Sequence, residues 1–167
     1  MCKRLVLCAG ATLALALTAG ACGSSTTKTV SATSTGMSKE RAAKAYLAAL
    51  PPYGTALFTF DNTVGEVLPR PAKAVAIAKP VSEAITMLDG KLLRLGDAYP
   101  PAAADIKNLV TATAGFKRDL DSIRAATARS VSAWAQKDRE DQDAVGAASA
   151  IVRTDLGLPK HSAPGGP

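Results

Sequence analysis

The sequence predicts an all-α protein, an up-down-up-down four-helix bundle with proline kinks, and three observations carry that reading. Its 167 residues hold 34 alanines against seven aromatics, a composition that suits helices and withholds from sheets the residues they favour. Between residues 38 and 159 the apolar residues recur in steps of 3 and 4, the spacing of one helical face. Prolines gather where such a chain must turn, in Leu68-Pro69-Arg70-Pro71 and again in Pro100-Pro101.

The first helical segment starts at Ser38, whose side chain suits an N-cap. Tyr46, Leu50, Tyr53, Leu57, Phe60, Val64 and Val67 form its stripe, and Pro51-Pro52 interrupts the backbone without shifting the register, which predicts a kink or a short break. The second carries Ala74, Ala78, Val81, Ile85, Leu88, Leu92, Leu95 and Tyr99, with Pro80 as the expected kink. The third opens near Pro101 and carries Ile106, Leu109, Phe116, Leu120 and Ile123. No proline follows until Pro159, so periodicity alone allows one helix or two over residues 101–158. A compact domain favours two, with the turn in the Thr/Ser/Val cluster from Thr127 to Ser132. The last segment then presents Val131, Trp134, Val145, Ile151, Val152 and Leu156, a stripe interrupted by Asp138 and Gln142. It ends on Gly157, Leu158 and Pro159, a left-handed cap followed by a residue that cannot continue a helix, with Arg153 at the negative end of the dipole.

The flanks describe a destination. Residues 1–21 have the three parts of an export signal: a basic start through Arg4, an apolar run from Leu5 to Leu17, and small residues from Thr18 to Ala21. Cys2 and Cys8 leave with that peptide, and Cys22 becomes the first residue. Ala19-Gly20-Ala21-Cys22 resembles a bacterial lipobox, which implies that Cys22 is lipidated with two acyl chains, palmitate or similar, and anchors the protein to the outer face of the cell membrane. Ala19-x-Ala21 also fits an ordinary signal-peptidase site, and plain secretion is the alternative. Residues 22–37 read as that lipidated cysteine and a Ser/Thr-rich tether with a root-mean-square reach of about 20 Å, residues 38–159 as the bundle domain, and residues 160–167 as a disordered tail. Cys22 has no partner in the mature chain, so no disulfide is expected.

Charge and chemistry exclude more than they assign. The net charge of +6 is mostly in the flanks, and residues 38–159 carry 16 basic against 14 acidic groups without a basic face, which argues against nucleic acid. The single histidine, His161, lies in the tail, removing histidine-centred catalysis and metal sites. The run from Lys137 to Asp143 is rich in carboxylates, but a straight helix does not wrap a hard cation, and it reads as a solvated face with a Lys137–Asp141 pair. Trp134, Tyr46, Tyr53 and Phe116 suit core positions better than a ligand pocket. Asp119, Asp121 and Glu66 are the acids available for acid/base work, but Asp119 and Asp121, two residues apart, diverge on a helix. No nucleophile–base pair, phosphate loop, cofactor motif or metal-ligand pattern is present, so no enzyme, cofactor or metal is expected.

Taken together, the lipobox, the tether, Tyr46-Leu47-Ala48-Ala49-Leu50-Pro51, the Tyr99-Pro100 break and the closing run from Val152 to Pro159 resemble lipoproteins of unknown function common in high-GC Gram-positive bacteria. The resemblance implies location and fold, and no activity. The expected role is a non-enzymatic interaction or structural module of the cell envelope, with the membrane as one partner through the lipid and an envelope protein as another. The alternative is a carrier of a solute or lipid in the bundle core. A carrier needs an internal cavity of about 300 Å³ or more, an interaction module a solid core and an exposed apolar patch.

Overall fold

The computed structural model describes residues 36–68, 70–127 and 129–159, all within one unit spanning residues 34–167. Cys22, the expected export signal over residues 1–21 and the expected tail with His161 lie outside the described residues. The described residues form an all-α bundle: α1 (Lys39–Ala49), α2 (Pro51–Val67), α3 (Pro71–Ala98), α4 (Ala103–Ser122) and α5 (Val131–Asp155). Successive helices pack side by side, with α1 and α2 acting as one kinked arm against α3.

Each boundary has a local cause. Ser38 caps α1, its hydroxyl accepting the Arg41 N–H at 3.4 Å. Met37, in the stretch read as tether, is tied to the bundle: its N–H donates to the Ala98 carbonyl at 2.9 Å, and its side chain packs on the core. The prolines split α1 from α2 at Leu50 alone. That residue keeps helical angles (φ −74°, ψ −37°) and still accepts the Gly54 N–H at 3.0 Å, so the arm bends without losing its stripe. The kink expected at Pro80 leaves no such break, because α3 is continuous through it. Pro80 and Ala76 both face outward, and water can take the carbonyl that Pro80 leaves without a donor. Pro100–Ala102 form a 3₁₀ turn before α4.

Residues 101–158 make two helices, but α4 ends earlier than the Thr127–Ser132 cluster suggests. A 3₁₀ turn over Ile123–Ala125 buries Ile123 at the end of the α4 stripe, and Thr127 and Ser130 close the loop through a 2.8 Å bond from the Thr127 N–H to the Ser130 hydroxyl. At the end of α5, Gly157 adopts φ +69°. The Leu158 N–H reaches the Arg153 carbonyl at 2.8 Å and the Gly157 N–H reaches that of Thr154 at 3.0 Å, a complete Schellman cap. Arg153 does more than face a dipole. Its guanidinium is buried and donates twice to the Pro159 carbonyl, at 3.0 and 2.8 Å.

The core runs through the bundle between the arm, α3, α4 and α5. Tyr46, Phe60, Phe116, Ile85, Leu92, Ile106, Leu109 and Leu120 are its largest fully buried side chains. Ile151, assigned to the α5 stripe, is instead half exposed. Val152 holds the buried position, and one residue is a rotation of about 100° on a helix.

Candidate functional site

Two adjoining features on the side where α5 meets the α1–α2 arm are the strongest candidates. The first is a surface. From Ala45 to Phe60 the chain has no charged residue, and from Ala144 to Val152 it has none again. One hydrogen bond ties these stretches together, Tyr46 Oη to Ser149 Oγ at 2.7 Å, and a second, Gln142 Nε2 to Asp61 Oδ1 at 3.1 Å, joins the residues just beyond them. Gly54 and Phe58 precede Asp61 by seven and three residues and so share its flank; Gly146 follows Gln142 by four and shares that one. Ala45, Ala48 and Ala49 line the groove toward α3, which leaves Leu47 on the α5 side. Phe58 is 71% exposed and Leu47 42%, and a methyl group added at Gly54 or Gly146 would meet nothing within 4 Å.

Beneath that surface lies a polar seam. Asp138, one of the two residues that interrupt the α5 stripe, is 5% exposed, and its Oδ1 has no hydrogen-bond donor. Gln142 divides its amide between the Asp138 Oδ2, at 3.0 Å, and Asp61 across the interface. Burial, then the nearby Asp61, Asp141 and Asp119, push the Asp138 carboxyl up to about 6 against the opposing Gln142 bond. Burial raises Asp61 too, partly offset by Gln142. Tyr53 is lifted far above the ordinary tyrosine range by burial and by Asp61, Asp138 and Asp89. Between α4 and α3, the hydroxyl of the buried Thr113 donates to the Asp89 Oδ1 at 2.6 Å.

The Lys137–Asp143 run is therefore no solvated face throughout. Lys137 does bond Asp141, its partner one turn on, but it also reaches Asp119 on α4 at 3.3 Å, and the Asp141 side chain is only 14% exposed. Burial and the adjacent Asp141 carboxyl raise Asp119. The helix turns this acidic run inward because the apolar positions Trp134 and Val145 fix its rotation, and Asp138 and Asp141 fall between them on or beside the same face. A third acid pair lies near the other end of α5, where burial and then Asp105 raise Asp155 beside Lys39.

Other sequence-picked residues do not converge. Asp121 holds Lys117 at 3.0 Å and the Ser82 hydroxyl at 3.2 Å, Asp119 belongs to the Lys137 cluster, and Glu66 is exposed on α2. Tyr46, Phe116 and Trp134 are buried core residues and Tyr53 packs against them; Trp134 stands edge-on to Phe60 at 6.3 Å and donates its indole N–H to the Asp119 carbonyl at 2.9 Å. Grooves of about 300 Å³ lie at the surface between α3 and α4, beside Ser82 and Asp121, and between α1 and α3, where Lys91 and Arg94 rim an apolar floor. Among the described residues no group of three acidic, histidine or cysteine side chains is placed to hold a metal, and no helix is long and apolar enough to cross a membrane. Sequence reasoning missed Asp61 and Asp89. Thr113, four after Leu109 and three before Phe116, was the signal for a polar group inside the stripe. Compared with protein-family models, curated proteins and solved structures, the chain finds no match.

Proposed function

We propose that the protein is an exported lipoprotein, anchored through Cys22 to the outer face of the cell membrane, that acts without catalysis as an interaction module of the cell envelope. One observation supports the interaction role: the uncharged face of the arm and α5, with Phe58 and Leu47 projecting beside Gly54 and Gly146. An outward helix face is ordinarily charged, and an exposed apolar patch is the mark of a partner surface. Each helical glycine costs about 1 kcal/mol relative to alanine. No neighbour in the bundle requires a hydrogen at Gly54 or Gly146, whereas a partner approaching closely would. The carrier alternative draws less support, because the core positions are filled by Tyr46, Phe60 and Phe116 and the grooves above lie outside them.

The test is photo-crosslinking in the native envelope, with a photoreactive residue at Phe58 and, as a control, at the exposed Lys107 on α4. A discrete adduct from position 58 alone supports the reading; equal labelling from both positions, or from neither, refutes it. The anchor is tested separately. Cys22→Ser is expected to abolish fatty-acid labelling and membrane fractionation while leaving the bundle folded.

A further inference from the structure

The acids of the seam face one another across α5 with little cationic compensation. On Asp138 bear Tyr53 and Asp61 from α2, Asp119 from α4, and Asp141 and Gln142 from its own helix; Asp89 of α3 reaches the same tyrosine. The ammonium of Lys137 is taken up by Asp119 and Asp141. Both amide hydrogens of Gln142 are spent, one on Asp61 and one on Asp138, so the Asp138 Oδ1 is buried with nothing to donate to it. A neutral carboxyl tolerates such a place, and an ionised one does not.

We propose that the N-terminal half of α5 is an acid latch: it docks fully on α2 and α4 when Asp138 is protonated, and opens locally when Asp138 ionises. The raised value near 6 places the change in the weakly acidic range. Opening pulls Gln142 from Asp61 and loosens the packing of Trp134, the only tryptophan in the chain, on Phe60. This inference stands apart from the partner surface and needs no partner.

The experiment follows amide exchange and Trp134 emission in the full chain between pH 4.5 and 8, with exchange corrected for its intrinsic pH dependence. With Asp138 near 6 in the docked helix and near the ordinary carboxylate value when exposed, the local opening equilibrium should rise roughly twenty-five-fold from pH 4.5 to 7.5. The rise is expected for residues around Asp138 and not for the middle of α3. Asp138→Asn, which keeps the shape and cannot ionise, should flatten the profile. Asp61→Asn, at an exposed position, removes an acid that raises Asp138 and should move the transition to lower pH, which keeps the idea testable if the first variant does not fold. The latch is overturned by a flat wild-type profile, by pH dependence that persists in Asp138→Asn, or by α3 opening in step with α5. It is equally overturned if millimolar Ca²⁺ or Mg²⁺ closes the seam at pH 7.5, since a cation would then complete the carboxylates.

Discussion

Phe58 and Phe60 stand two residues apart on α2 and have opposite fates, one 71% exposed and the other fully buried. Phe60→Ala should therefore cost about 3–5 kcal/mol in denaturant unfolding, through lost burial and a cavity beneath Trp134. Phe58→Ser should change stability by no more than about 0.5 kcal/mol, so any loss of partner co-purifying with it reports on contact and not on folding. Tyr46 is fully buried with its hydroxyl bonded to Ser149, and Tyr46→Phe should remove about 1 kcal/mol with that bond. Burial raises both Tyr46 and Tyr53, so the fold keeps their protons and loses stability as alkali removes them. In an absorbance titration these two phenols should ionise together with unfolding, above the ordinary tyrosine range near pH 10.

At the scale of elements, the caps are the most exposed to single changes. Gly157→Ala forces a side chain into φ +69° and sets its methyl 3.0 Å from the Lys39 side chain; the cost should be about 1 kcal/mol or more, read from the melting midpoint. The helices themselves were legible because Tyr46, Phe60, Leu92, Phe116 and Val152 keep the spacing that places them in one core. The end of α4 was less so. Neither glycine nor proline marks it, and what stops the helix is tertiary: Ile123 turns into the core, and the Trp134 indole takes the Asp119 carbonyl near the end of α4. The site was legible in part. Asp138 and Gln142 stood out as polar residues in an apolar stripe, but that their counterpart is Asp61 follows from the pairing of α5 with α2, which spacing along one helix does not contain.

At the scale of the whole molecule, the seam acids together with Asp155 set the direction of pH dependence. Asp61, Asp89, Asp119, Asp138 and Asp155 are all raised, so the folded chain holds these protons more tightly than the unfolded one. Their contribution is complete below the unfolded carboxylate value near pH 4 and is lost as pH rises through their raised values; for Asp138 that is about 6, and its share is about 3 kcal/mol. The melting temperature should accordingly be higher at pH 5 than at pH 7.5, and Asp138→Asn should remove most of that difference. The Schellman cap has a consequence of another kind. It brings Gly157 against Lys39, so the described chain enters and leaves the bundle at one pole, with Met37 fastened to Ala98 and Pro159 held by Arg153. Chain order is then not essential to the packing. A circular permutant that joins residue 159 to residue 37 through a short glycine linker and opens in the loop between Ala126 and Ser130 should fold to the same helical content, and its unfolding curve would show how little of the stability resides in that connection.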